Sequence, residues 1–551
     1  MRKSLRVLLG AIVTVAVGTA GTLWATSAGA AHSAAAPTVT IVYGTAPDYL
    51  DPQKTYTTQG GEANWVSYLG LYTYAHKTGT AGGVVIPALA TALPVVGNGG
   101  KTYTMTLRKN LVYSNGAKVK ASDFTYSIER AIKLTWGGDS FYSGNIVGAL
   151  AYSKGTSKAI SGIVANNATG TITVHLLAPY GAFLNVLAFP SSGLVPTGTA
   201  MTNLTNNPPP GVGPYHVIDV VPDKSWVGEI NPYYAKEVIP GIPQGSVTID
   251  AKVESNTATE TEDVLNNTAD LFDTGDSITP SLLPQIKSTA ANRYKTTPVV
   301  QNFYFFLNVT EKPFNSQLVR EAVDVALDRR VLSKLSGGTI IPGCFFLPPG
   351  MIGHPTASCP YGINPAGAPN LAKAKALVKQ SGDEGAAVTV WAQERVPRTQ
   401  YGQYYASVLN SIGLKATIKP IADALYFPTI GTLKLHPQTG FADWDEDFPN
   451  PGDFYLLLDK NSIQPTNGLN YGQVNDPKIQ NAISKLDAIP AAQLPKYAAD
   501  WTALDEYTAQ KAYNIVFGYQ TWPEFTSTRI DDAALIVQPS YGWDWTSIKL
   551  K

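Results

Sequence analysis

Asp443, Asp445, Glu446 and Asp447 form the sharpest reactive feature of this chain. Trp444, Phe448 and Phe454 interleave these acids with large apolar groups. Several chemistries use carboxylates so arranged. Asp443-x-Asp445-x-Asp447 opens like a calcium loop. Such a loop needs Gly at its sixth place and a bidentate acid at its twelfth, and Phe448 and Phe454 stand there. Calcium is therefore not expected. Two carboxylates across a scissile bond could hydrolyse a glycoside, giving a secreted hydrolase, but sequence does not set their separation. A carboxylate held among aromatics in a cleft is suited to capture an ammonium, because excluding water strengthens the charge pair. The plain alternative is a solvated acidic loop, with Asp443 and Asp445 facing water.

Arg395 and Arg398, just after Trp391-Ala392-Gln393, could pair bidentately with a carboxylate or lie on an ordinary surface. The histidines His32, His76, His175, His216, His354 and His436 are scattered, with no H-E-x-x-H spacing. No G-x-S-x-G elbow is present, and no haem, nucleotide or phosphate-loop motif is visible. The expectation is a protein without catalytic residues, metal or cofactor.

These groups need a frame of mixed strands and helices. Tyr103, Met105 and Leu107 alternate with polar residues as a half-buried strand does. Ser114-Asn115-Gly116 is turn chemistry, and Ser122 and Asp123 can cap a helix whose apolar face begins at Phe124 and Ile128. Ile172, Val174 and Leu176 alternate as another strand, which makes His175 a packed side chain. Helical faces recur at Val319 to Leu327 and at Leu371 to Val378, the latter stopped by Gly382. Tyr404 to Ile412 ends at Gly413 before a strand-like 415–421, and two helices broken at Pro490 follow Asp476. The pattern predicts an α/β protein.

With 551 residues the chain exceeds one core, so two or more lobes are expected. Basic and acidic residues balance at 41 each, which removes a broad electrostatic case for nucleic acid or anionic membrane. Arg2, Lys3 and Arg6 precede an apolar run to Ala25, and Ala28-Gly29-Ala30 fits a small-x-small cleavage site. Residues 1–30 thus read as a signal peptide. An uncleaved anchor is the alternative, which the glycines and the Ala-rich exit disfavour. No Cys lies near that junction, so a lipoprotein is not expected. Cys344 and Cys359 are the only cysteines, and in an exported chain they should pair. Closing so short a loop adds about 3 kcal/mol in the chain-entropy picture.

The wording of several segments resembles one family, in that family's order. Leu107 to Arg130, LRKNLVYSNGAKVKASDFTYSIER, resembles the signature of the peptide/nickel class of solute-binding proteins of ABC importers. Leu50-Asp51-Pro52, Gly213-Pro214-Tyr215, Asn231-Pro232-Tyr233-Tyr234 and Ala269-Asp270-Leu271 resemble further elements of it. So do Val319-Arg320-Glu321-Ala322-Val323, Ala326-Leu327-Asp328-Arg329 and the stretch from Trp444 to Phe454.

The resemblance implies a two-lobed, periplasmic-binding-protein-like fold with an extra subdomain inserted in lobe I. It places lobe I at 38–69, 206–296 and 525–551, the insertion at 70–205, and lobe II at 297–524. Crossovers near Val299-Val300-Gln301 and Trp522-Pro523 would form a hinge. It implies a non-enzymatic, monomeric receptor, periplasmic or on the cell surface, that hands a peptide to separate permease subunits. The alternatives keep the fold and change the ligand to a nickel chelate, a sugar or another amine-bearing solute. In peptide-binding members the Asp three places after the Trp binds the ligand's α-ammonium, which here is Asp447. Trp444 and Phe448 flank it, and Arg395 lies where some relatives carry a carboxylate-binding Arg.

Overall fold

The computed structural model describes residues 36–234 and 238–551, so the expected leader lies outside the described residues. Its sheets of four or more strands divide the elements into two lobes and an insertion. In the first lobe the strands run Leu271–Phe272, Thr38–Tyr43, Thr248–Val253, Ser225–Ile230, Tyr215–Val221 across the sheet. Thr38–Tyr43 lies parallel to Thr248–Val253, and the other long neighbours are antiparallel. The insertion carries an antiparallel sheet of Val95–Gly97, Thr102–Thr106, Thr171–His175 and Ile163–Asn166. In the second lobe the order is Ile340–Pro342, Asn514–Phe525, Tyr294–Leu307, Thr439–Asp445, Ala387–Glu394, Lys415–Ala422.

Each lobe buries its own aromatic-rich core. Trp65, Trp226, Trp543 and Trp545 anchor the first, while Phe305, Trp391, Trp501 and Phe517 anchor the second. A smaller cluster of Val42, Phe272, Ile286 and Phe525 is separate from both. The lobes share the antiparallel ribbon Tyr294–Leu307 with Asn514–Phe525. Its register slips between Pro298 and Asn302, which pair with Thr521 and Tyr519. Extra residues on one strand leave local pairing incomplete and let a ribbon bend.

The residues that carried the family wording are mostly framework. The helix of the signature segment spans Ala121–Lys133, starting before the expected caps. Asp123 does not precede it but folds back within its first turn, accepting the Lys120 N–H at 2.8 Å. Phe124, Ile128 and Ala131 are buried on its inner face as expected. Its Arg130, also buried, grips Asp51 bidentately, Nη1 to Oδ1 and Nη2 to Oδ2 both at 2.6 Å. Asn231 donates to the Gly213 carbonyl at 2.8 Å, joining two other motif segments. Helix Leu371–Ser381 ends at Gly382, whose φ of 78° is the left-handed turn Gly adopts without strain. Cys344 and Cys359 form a disulfide with Cα atoms 6.0 Å apart.

Candidate functional site between the lobes

The acidic run is not a solvated loop. Residues Thr439–Asp445 form a strand antiparallel to the ribbon, with Asp443 opposite Phe303 and Asp445 opposite Gln301. The Glu446 N–H continues this pairing to the Val300 carbonyl at 3.0 Å, at the register slip. A strand end rich in acids thus runs directly to the register slip of the ribbon.

Asp443, which the solvated-loop alternative would leave in water, is half-buried and accepts from Arg398 Nη2 at 2.6 Å. The same guanidinium lies 4.7 Å from the Phe441 ring centre. Asp445 is also half-buried, and its Oδ1 has no partner among the described residues. The hydrophobic packing of a strand between two neighbours, not loop solvation, decides their environment.

Asp447 meets the opposite lobe. Its Oδ2 accepts from the Tyr56 hydroxyl at 2.6 Å, across 391 residues of sequence. Tyr56 packs on the first lobe's core, beside Trp136 and 6.2 Å from the Trp444 ring. The Asp447 N–H donates to Asp453 Oδ2 at 2.9 Å, and Trp444 Nε1 donates to the same oxygen at 3.3 Å. Asp453 is fully buried and its Oδ1 lacks a partner among the described residues. Phe448 is buried within the first lobe's core and packs edge-on against Phe141 at 5.6 Å. Burial pushes the Asp447 carboxyl up to about 7. Burial, then the Asp447 charge, pushes Glu446 up to about 8.

Arg395 stands apart from Asp447. Its Nη2 donates across the lobes to Asp276 Oδ2 at 3.3 Å. Burial would lower its proton affinity, but Asp276, Asp423 and Asp273 outweigh that and hold the guanidinium charged. The structure therefore gathers Trp444, Asp447 and Phe448 on one stretch and gives Arg395 a protein carboxylate. A further interlobe contact joins the Gly181 N–H to the Asp487 carbonyl at 2.8 Å. A Cβ on Gly181 would lie 1.8 Å from the Ile489 carbonyl oxygen, so only Gly permits that approach.

Tyr56, Asp276, Asp453 and Asp487 were not singled out by sequence. Asp453 lies within the Trp444 to Phe454 segment and could have been weighed with the other acids. For Tyr56 and Asp276 no local signal exists, because their partners are remote in sequence.

Comparison with known proteins agrees with this architecture. The family model "Bacterial extracellular solute-binding proteins, family 5 Middle" matches residues 84–465. The "Glutathione-binding protein GsiB" of Salmonella choleraesuis is 26% identical over 339 residues, 59% of this chain and 59% of that protein. Its Escherichia coli counterpart is 26% identical over 340 residues, with the same shares, so less than two thirds of these curated relatives is spanned. Among solved structures, "Clavulanic acid biosynthesis oligopeptide binding protein 2" superposes with a TM-score of 0.83 at 20% identity, covering 94% of this chain and 96% of that one. The Escherichia coli murein tripeptide binding protein MppA gives 0.78 at 19%, covering 93% and 98%. The Helicobacter pylori ABC transporter-associated periplasmic binding protein DppA, in complex with peptide STSA, gives 0.75 at 20%, covering 93% and 98%. These likenesses show the fold, and the family match covers more than half of the sequence. The chain belongs to the bacterial extracellular solute-binding proteins, family 5.

Proposed function

We propose that this chain is the extracytoplasmic receptor of an ABC importer, trapping a peptide between its lobes and delivering it to membrane permease subunits. It acts as a monomer, without chemistry of its own. The observation that carries the reading is Asp447, a carboxylate between the lobes that already takes a hydrogen bond from Tyr56 of the opposite lobe. A ligand ammonium there would be shielded from water, where a charge-assisted bond is strongest. Trp444 and Phe448 flank Asp447 in sequence, and Trp444 Nε1 shares the Asp453 oxygen that the Asp447 N–H meets. Arg395 serves first as an interlobe pair with Asp276, and a ligand carboxylate would reach it only by displacing that acid. The named ligands of relatives, glutathione and short peptides, support a peptide over a sugar or metal chelate.

The same reading keeps lobe I at 38–69, 206–296 and 525–551, the insertion at 70–205, and lobe II at 297–524. It also keeps an exported, non-lipidated protein whose leader, residues 1–30, is removed. No helix among the described residues is long and apolar enough to cross a membrane. The test is mass spectrometry of whatever is released on denaturing natively purified protein, followed by calorimetry of that ligand on wild type and Asp447→Asn. A peptide is expected, and losing the charge-assisted bond should cost roughly 1.5–3 kcal/mol, about tenfold or more in affinity. Equal affinity in the variant removes the ammonium role. A released sugar or metal chelate removes the peptide reading.

A further inference from the structure

The segment between the two cysteines builds no strand or helix of its own. Strand Ile340–Pro342 ends before it, and the next short helix begins at Pro360. Yet Cys344, Phe345, Phe346, Leu347 and Met351 are buried. Buried main chain outside a ladder must find its hydrogen bonds elsewhere. Here several come from the interlobe ribbon. The Tyr519 hydroxyl accepts the Phe345 N–H and donates to the Phe345 carbonyl, both at 3.1 Å. Asn302 Nδ2 donates to the Phe346 carbonyl. Asn302 and Tyr519 are register partners, the first pair beyond the slip that begins at Pro298. A Cβ on Gly350 would lie 3.2 Å from Val300 Cγ2, inside the slip. The loop thus touches both strands of the ribbon where their pairing is interrupted.

Its other hold is on the second lobe. The Leu347 N–H donates to Asp505 Oδ2 at 3.1 Å, and the Thr502 hydroxyl donates to the Gly353 carbonyl at 3.0 Å. Both partners lie on helix Ala498–Gln510. The Cys344–Cys359 bond closes the loop into a ring. A ring has fewer conformations open to it than a free strip, so its contacts are held at less entropic cost. Cys344 is 8% exposed and Cys359 only half-buried, so Cys359 is the more accessible half of the bond.

We propose that the Cys344–Cys359 ring is a redox-controlled brace on the ribbon, stiff when oxidised and slack once a dithiol has reduced it. That the ribbon is a hinge rests on the receptor reading; that the ring stiffens it does not. In the reduction a thiolate of the dithiol attacks the Cys359 sulfur. The S–S bond breaks, and Cys344 leaves as a thiolate that takes a proton. The reductant's second thiol then attacks its own sulfur in the mixed disulfide, and Cys359 leaves as a thiol. Two electrons and two protons pass to the protein, and the dithiol ends as a disulfide. The opened loop regains its freedom and holds Asn302 and Tyr519 less firmly.

The test is hydrogen–deuterium exchange, read by mass spectrometry on the full protein, oxidised and in excess dithiothreitol. Reduction should speed exchange roughly fivefold or more in ribbon peptides covering 298–303 and 518–522. Strands Thr38–Tyr43 and Thr248–Val253 of the first lobe should be unchanged. Faster exchange confined to 344–359, or none at all, overturns the brace. Tyr519→Phe keeps the disulfide and removes both hydroxyl bonds. It should speed the same ribbon peptides, and reduction should then add little. If reduction loosens both lobes together, that variant decides: loosening confined to the ribbon keeps the brace, and an unaltered ribbon overturns it. Redox control is read separately, by limiting 2-mercaptoethanol on native protein followed by alkylation and peptide mapping. The added thiol should be found on Cys359. A bond that reacts only after the protein is unfolded overturns the switch. None of these readouts uses a ligand, so the receptor reading stands or falls on its own test.

Discussion

Asp447 holds a proton more tightly than a free carboxyl, and this gives the cleft an opposite pH response in its two roles. Its carboxyl sits at about 7, that of Glu446 at about 8 and that of Asp487 at about 7, burial leading in each. In an unfolded chain such groups titrate near ~4. The folded protein thus binds protons that the unfolded chain has released. Their contribution to stability is fully present below about pH 4 and is lost as pH rises through 7 to 8. The groups facing them, Tyr56, Tyr74, Tyr180, Asp445 and Asp453, stay neutral or add negative charge in that window and do not reverse the sign. Differential scanning calorimetry of stripped protein should show the melting temperature falling from about pH 5 to about pH 8. Asp447→Asn should flatten part of that slope. Glu62, at about 8, and Asp505, at about 7, add to it from elsewhere, so the difference between variant and wild type isolates the cleft. Cationic ligands should bind more tightly across the same window, because they select the ionised carboxylates.

At the scale of elements, the signature helix Ala121–Lys133 matters through Arg130. Its guanidinium and Asp51 are both fully buried, and Gln53 and the carbonyls of Ala200 and Thr202 complete the guanidinium's bonding. Removing one partner of such a pair leaves an uncompensated buried charge. Arg130→Ala should therefore cost about 3–5 kcal/mol, read as a lower midpoint in urea unfolding. Removing both, in Asp51→Leu with Arg130→Met, should cost much less than the sum of the single changes. This pair also shows what sequence could and could not reveal. Periodicity located the strand at Thr102–Thr106, the helix stop at Gly382 and the helix-strand step around Gly413, since these depend on neighbours. It missed the start of the signature helix, because Asp123 caps backwards from inside it. It left open whether Asp443 and Asp445 are solvated, because the flanking strand and Arg398 come from other segments. Of the site, the acids and Trp444 were legible as a local run. Tyr56 and Asp276 were not, since only folding brings them near.

For the whole molecule, the proposed receptor reading makes the ribbon of Tyr294–Leu307 and Asn514–Phe525 the axis about which the lobes move. On that reading the interlobe contacts Tyr56–Asp447, Asp276–Arg395 and Phe141–Phe448 are those of a closed arrangement. A ligand that bonds to both lobes favours that arrangement over an open one. Small-angle scattering should then give a smaller radius of gyration for loaded than for stripped protein. An unchanged radius with binding confirmed by calorimetry would remove the hinge. The acidic run is tied to that axis by a main-chain bond, Glu446 N–H to the Val300 carbonyl. A main-chain bond is indifferent to the side chain that its residue carries. On the proposed reading, selection can thus rewrite the charges at 445–453 to suit a new ligand while this main-chain bond stays in place. One mechanical chassis can diverge into many specificities, with the inherited parts in the backbone and the negotiable parts in the side chains.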